Sequence, residues 1–273
     1  MFLHPESPFL LILYTIPMKP TPYEDINQLL EELSLGLQKN LGDDLIGFYF
    51  TGSLTYGDFN RESSDIDFLV VTKVPIQEND FNKVQKLHET IGQQFPEWKK
   101  RLEGSYVTEE MLQSTEPPKV KRPYVNAGKM WQFVYGNEWI INKYALYTCG
   151  KTIYGSSPHD IMKPVTIEQV REASKRDLQQ DWLPKVNDPQ AFCNPDYDSS
   201  HLQAYAALTL CRILYRQFHD DVSSKKVAAA WVKEKYPEWR ELIEKAESWK
   251  HGYALKEEAS IKKFITFVIS KIS

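Results

Sequence analysis

The stretch from Leu45 to Thr72 constrains this chain more than any other. An apolar, aromatic-rich run, LIGFYF (Leu45–Phe50), stops at Thr51-Gly52-Ser53; after a polar loop, SSDID leads into a second apolar run, FLVVT (Phe68–Thr72). The first suits a buried strand meeting a turn, and the second another strand behind it. Upstream, Ile26, Leu29, Leu30, Leu33, Leu37 and Leu41 recur at helical spacing between Tyr23 and Leu41. Downstream, Phe81, Val84, Leu87 and Ile91 do the same between Glu78 and Phe95. Leu102 to Thr108 reads as a third strand. Helix, strand, strand, helix, strand makes a small α/β unit over residues 20–110.

The loop inside that unit carries chemistry. Asp65 and Asp67 are two residues apart at the head of a strand, so both carboxylates point to one face. Ile66, Phe68 and Val70 point to the other and anchor the strand in a core. Carboxylates held side by side repel unless a cation neutralises them. Oxygen ligands of this kind suit Mg²⁺, which takes one or two carboxylates together with waters and substrate phosphates. An isolated D-x-D is more often a solvent-facing acidic loop; here Gly52-Ser53 precedes it, directly after a strand. Glycine lets a backbone approach a ligand closely. Ser53 stands where a helix can begin, a place that suits a phosphate as well as an ordinary serine cap. Gly57 relieves the loop that returns to Asp65. A phosphate cradle and a metal-binding pair together are what a triphosphate–Mg²⁺ site requires.

From Thr166 onward the pattern turns helical, through Ile167–Leu183, His201–Phe218, Ser224–Tyr236, Glu238–Trp249 and Leu255–Ile272, with Ser223-Ser224 as a helix start. Between the two halves, Thr115–Pro164 reads as loop-rich, with Pro117, Pro118 and Pro123 and an aromatic stretch of Trp131, Phe133, Tyr135 and Trp139. The fold class expected is α+β: a small mixed-sheet domain over residues 18–160, then an all-helical domain over 161–273. At roughly 150 residues per domain, 273 residues fit two. Residues 1–17 are a leader. Its apolar run FLLILYTI (Phe9–Ile16) falls short of the ~20 residues that span a bilayer, and no Lys or Arg precedes it as a secretory signal requires. It reads as an upstream start before Met18 or as a docking strand.

Composition excludes more than it identifies. Apolar residues at 42% and charged ones at 26% rule out a disordered or coiled-coil chain. With 33 basic against 37 acidic residues the net charge is −4, against the basic excess usual for duplex binding. Cys149, Cys193 and Cys211 are an odd number without CxxC spacing, which argues against a disulfide framework and a structural zinc site. His88 and His201 fall in helical patterns, and no nucleophile–histidine pair is visible. A cytoplasmic chain is expected.

GS-x9-SSDID (Gly52–Asp67) resembles the G-S…D-x-D signature of the DNA polymerase β-like nucleotidyltransferase superfamily. The chain is more closely similar to the bacterial aminoglycoside adenylyltransferases of the streptomycin/spectinomycin type. LTLCRILYR (Leu208–Arg216) and SSKKVAAAWVKEKYPEWRELIEKA (Ser223–Ala246) are similar to that family's helical domain. The resemblance implies a nucleotidyltransferase domain followed by a helical one, with Mg²⁺ as cofactor and ATP as co-substrate. It assigns Mg²⁺ to Asp65 and Asp67, nucleotide phosphates to Gly52 and Ser53, the general base to Glu103, and further triphosphate contacts to Arg212 and Lys225 of the helical half. A cationic polyol acceptor, an aminoglycoside or aminocyclitol, wants carboxylates and aromatic faces. Trp139, Asp181, Trp182, Asp196, Tyr197 and Asp198 can supply these, and Trp139, Asp196 and Asp198 are the acceptor contacts expected. The positions of acidic and histidine drug contacts in streptomycin-accepting members fall near Leu202 and Tyr205, which argues against streptomycin and leaves spectinomycin alone, or an unrelated hydroxyl acceptor, open. The expected activity is transfer of AMP from ATP to an antibiotic hydroxyl, conferring resistance. A protein or RNA acceptor, and a non-catalytic nucleotide-binding module, are the competing readings. The partners expected are ATP and a small cationic molecule, with no nucleic acid or membrane, for a monomer.

Overall fold

The structure, a computed structural model, describes residues 19–193, 199–221, 223–250 and 253–272. The leader and the Asp196–Asp198 segment lie outside them. The first helix, α1 (Glu24–Leu41), opens with Glu24 and Asp25, favourable at the positive end of a helix dipole. It buries Ile26, Leu29, Leu30, Leu33 and Leu37 on one face and stops at Gly42, whose φ is +52°. There follow β1 (Leu45–Thr51), the single-turn α2 (Ser53–Tyr56), β2 (Ile66–Thr72), α3 (Glu78–Gln94), β3 (Leu102–Thr108) and α4 (Glu109–Gln113). Of these, α1, β1, β2, α3 and β3 are the elements expected, with β2 starting two residues earlier and so taking in Asp67; the short α2 and α4 are additions.

The segment Thr115–Pro164 departs from its loop-rich reading. It holds β4 (Arg122–Asn126), β5 (Lys129–Phe133), α5 (Glu138–Cys149), β6 (Lys151–Gly155) and α6 (Pro158–Ile161). β4 and β5 form a hairpin closed by Ala127-Gly128, both at positive φ (50° and 75°), the geometry of a two-residue turn that matches strand twist. Six strands lie in the order β5-β4-β3-β2-β1-β6. β2 and β3 run parallel across the α3 crossover and the other pairs antiparallel. One face of this mixed sheet carries Phe48, Phe50, Ile66, Phe68 and Val70 against α1 and α3. The other carries Tyr49, Val71 and Val107 against Trp139, Ile140 and Leu146 of α5.

The chain then becomes helical: α7 (Ile167–Asp177), α8 (Ser199–Phe218), α9 (Lys225–Lys235), α10 (Arg240–Ser248) and α11 (Glu258–Ile272). A capping box of Thr166 and Gln169 starts α7. The helix expected to reach Leu183 changes pitch at Leu178 into a π-turn (Leu178–Trp182) and then a 3₁₀ turn (Leu183–Val186). Pro184, which has no N–H to donate, forbids a regular continuation. α8 is the axle of this half: Ala206, Ala207, Leu210, Cys211, Ile213 and Leu214 are sealed by α9, α10 and α11. Val170 and Ala173 of α7 pack instead on the α5 side of the sheet, so the two halves meet along one side. No helix among the described residues is long and apolar enough to cross a membrane.

Candidate active site

The alternation of β2 decides which side chains reach the cleft. Ile66, Phe68 and Val70 are buried in the α1–α3 core, which leaves Asp67 on the opposite face, toward the helical half. Parallel register sets Asp67 beside Glu103 on β3, and antiparallel register sets it beside Thr51 at the end of β1. Immediately after Thr51 the backbone turns at Gly52 with φ +68° and ψ −151°. A Cβ there would collide with the Asp67 carboxylate, so only glycine fits. Ser53 is the first residue of α2, and Gly57, at φ +74°, ends that turn by donating its N–H to the Ser53 carbonyl.

A network anchored on α1 fixes the loop that presents Asp65. Asp25 accepts two hydrogen bonds from the Arg61 guanidinium (2.8 and 2.7 Å) and a third from the Trp98 indole N–H at 2.9 Å. Arg101 stacks on Trp98, 4.5 Å from the ring centre, and donates from Nη1 to the Arg61 carbonyl and from Nε to that of Ser64. The Arg61 and Trp98 bonds hold the Asp25 carboxyl well below the usual carboxylate range.

Three carboxylates are thereby crowded together, and all are pushed up. Burial is the chief cause for Asp67, with Glu103 and Asp65 adding repulsion and Lys225 and Arg212 opposing it. Burial also raises Asp65, against Lys225 and Arg101. For Glu103, burial again dominates; a hydrogen bond donated by the Tyr124 hydroxyl works against it, and Asp65 adds to it. Tyr124 accepts in turn from the Asn126 amide at 2.9 Å. Tyr124 and Asn126 lie on β4, in the segment that read as loop; the signal for them was alternation on either side of a two-residue turn containing Gly128.

The facing wall comes from the helical half. Ser224 caps α9 through the Val227 N–H at 3.2 Å, which places Lys225 on its first turn. Solvent reaches Lys225 along the cleft, yet its ammonium lies among Asp65, Asp67, Glu103 and Arg212. Burial and then Arg212 lower its pKa, while the carboxylates raise it. The ammonium is 5.4 Å from the ring centre of Tyr205, and that ring stacks at 6.4 Å on Trp182. Asp177 accepts the Trp182 indole N–H at 3.0 Å; burial chiefly, with Asp181 beside it, pushes its carboxyl up to about 7.

The structure therefore brings Asp65, Asp67, Glu103, Arg212 and Lys225 into one cleft, with Gly52 against Asp67 and Ser53 beside it. Trp139 is a correction. It is 1% exposed, packs on Tyr135 at 4.7 Å and donates its indole N–H to the Ser114 carbonyl. Read as part of a loop it was an open aromatic face; on α5 beneath the sheet it is core. Asp196 and Asp198 lie outside the described residues. His88 is a packing residue, 2.6 Å from the Tyr106 hydroxyl and stacked on Phe68.

No group of three or more His, Cys, Asp or Glu side chains among the described residues is arranged to hold a metal by itself. Magnesium does not need one: one or two carboxylates suffice when phosphates and water complete the shell. The mutually repelling Asp65 and Asp67, with oxygen donors only, fit that ion.

Residues 160–271 match the family model for the C-terminal domain of aminoglycoside adenylyltransferases, and residues 30–113 match that for the nucleotidyltransferase domain. No curated protein matches the chain in sequence. Its fold is similar to the crystal structure of spectinomycin adenyltransferase AAD(9) from Enterococcus faecialis with ATP and spectinomycin. The TM-score is 0.67 at 20% identity, over 90% of this chain and 98% of that one.

Proposed function

We propose, from the premise that this chain belongs to the aminoglycoside adenylyltransferase family and is a nucleotidyltransferase, that it transfers AMP from ATP to a hydroxyl of an aminocyclitol or aminoglycoside. The observation that carries the proposal is the meeting of three crowded carboxylates with Arg212 and Lys225 across one cleft. Residues 18–160 are the nucleotidyltransferase domain and residues 161–273 the helical domain that closes the site, in a cytoplasmic enzyme.

Asp65 and Asp67 hold Mg²⁺, which when bound neutralises charge on the triphosphate. Gly52 and Ser53 receive nucleotide phosphates on the sheet side, and Arg212 and Lys225 donate to them from the helical side, Arg212 with a planar fork suited to phosphate oxygens. Glu103 accepts the proton of the acceptor hydroxyl as its oxygen bonds to the α-phosphorus and the bond to pyrophosphate breaks. The Tyr124 hydroxyl steadies Glu103, and it favours the ionised form in which a base must stand.

The acceptor lies on the side of Tyr205. That phenol is coupled electrostatically to both Glu103 and Asp177, so it bridges the base and an acidic, aromatic corner of Asp177, Asp181 and Trp182. A carboxyl held near neutrality by burial is returned to its charged form by an arriving cation, and the aromatic rings offer faces to ammonium groups. Spectinomycin, which the similar AAD(9) structure contains, is the first acceptor to test. The assay is pyrophosphate release from ATP and Mg²⁺ with spectinomycin, streptomycin and a panel of other aminoglycosides, with mass spectrometry of the acceptor. Adenylylated spectinomycin is expected. ATP binding with no modified acceptor across the panel would overturn the acceptor class.

A further inference from the structure

Arg212 and Arg216 are four residues apart on α8, one helical turn, and share a face. Both have guanidinium nitrogens sealed from solvent without a partner, Nε in each case. Arg216 is 3% exposed, and its Nη1 reaches only the Ser174 hydroxyl, at 3.5 Å. Among the described residues the arginines ion-paired to carboxylates are Arg61, Arg171 and Arg240, and neither Arg212 nor Arg216 joins them. Burial, with Arg212 alongside, brings Arg216 down to about 9. The acids within its field do not answer it. Asp177 accepts the Trp182 indole N–H and is itself pushed up to about 7. The Tyr56 phenol is pushed up to about 12, chiefly by burial, and so carries no charge at neutral pH. A buried guanidinium that forms no ion pair, next to a second, half-buried one, is unfavourable unless a ligand supplies further negative charge.

The layout says what kind of ligand. Lys225 interacts with Asp65, Asp67 and Glu103; Arg212 interacts with Lys225 and Asp67 on one side and Arg216 on the other; Arg216 interacts with Tyr56, on the turn that Gly52-Ser53 opens. The three cations thus follow one another from the carboxylates toward that turn, which matches an extended polyanion. We propose that Arg216 binds the end of the triphosphate remote from the carboxylates, holding the pyrophosphate leaving group between itself and Arg212. This rests on the reading of the cleft as an ATP site.

The test is calorimetric titration of ATP, AMP and pyrophosphate, each with Mg²⁺, into the full-length protein and its Arg216→Met and Arg216→Lys variants, with thermal unfolding of each. Loss of a charge-assisted fork should weaken ATP and pyrophosphate about 10- to 100-fold in Arg216→Met. AMP should change by less than about twofold, and Arg216→Lys should fall between. Without nucleotide, Arg216→Met should melt at or above the temperature of the parent, because a buried unpaired charge has gone. ATP and pyrophosphate binding within about twofold of the parent would overturn the proposal. So would a lower melting temperature with equal losses for AMP and ATP, or failure of Arg216→Met to fold with Arg216→Lys binding all three normally; each marks a structural arginine. If the parent itself binds no ATP, the underlying reading fails, whatever the variants do.

Discussion

The two walls of the cleft carry opposite charge and are built in opposite ways. The sheet wall is fixed by backbone register: Asp67 sits beside Glu103 because β2 and β3 run parallel. Asp65 is held one step ahead by a loop pinned through Asp25, Arg61, Trp98 and Arg101. The helical wall presents long cationic side chains from α8 and α9 with few bonds to hold them; Arg212 and Arg216 leave buried nitrogens unpaired. Burial raises every carboxylate on the first wall and lowers Lys225 and Arg216 on the second, with like-charged neighbours adding to it at Asp67, Glu103, Lys225 and Arg216. A small divalent cation relieves one wall and an extended anion relieves the other, and a magnesium triphosphate is both at once. The fold gives up stability on each wall in exchange for function.

That contrast can be broken from either side. Removing the proposed base should have the largest effect: Glu103→Gln should cut transfer about 10²- to 10⁴-fold while calorimetry finds ATP binding nearly unchanged, and a normal rate would put the base elsewhere. Asp67→Asn should cost at least ~10²-fold in turnover with the circular dichroism spectrum of the parent; retained activity would contradict the metal role. Gly52→Ala strains a positive-φ residue and drives a methyl group into the Asp67 carboxylate. It should lose about 1–3 kcal/mol in chemical denaturation as well as most activity.

The smallest effect belongs to the network that pins the acidic loop. The Asp25 carboxyl ionises below its unfolded value in the folded chain, because Arg61 and Trp98 bond to its charged form. Its contribution is therefore fully present above the ordinary carboxylate pKa of about 4 and is lost as pH falls through the folded value. Asp25→Asn should melt slightly below the parent at pH 7, with the gap narrowing steadily below about pH 4. A gap constant with pH would mean that Asp25 contributes by packing rather than by charge.

How much of this was legible in the chain differs by segment, for physical reasons. β1 and β2 are apolar runs and β3 alternates, all buried on one or both faces; Gly52 and Asp65 stand at the ends of β1 and β2, and Asp67 interrupts β2, at positions where no core residue would serve, and that pattern is strong without any tertiary knowledge. β4 and β5 have five residues each. β4 contains Pro123, a residue that argues against a strand, and its pairing with β3 is confined to Gly104–Val125 and Ser105–Tyr124. α5 is covered by the sheet on one side and by α7 on another, so its apolar residues do not form a single stripe, and Trp139 passed for an accessible aromatic. Asp177 and Arg216 were beyond reach for another reason. They come together only because α7 and α8 pack side by side, and nothing local in either helix marks the face they share.

Cation binding by the acidic wall, so that both walls can close on one triphosphate, is tested most directly by titrating ATP into the protein with Mg²⁺ and again with the metal chelated. Tighter binding with Mg²⁺, by tenfold or more, and loss of that gain in Asp67→Asn, is the result expected. Equal affinity with and without the metal would contradict it.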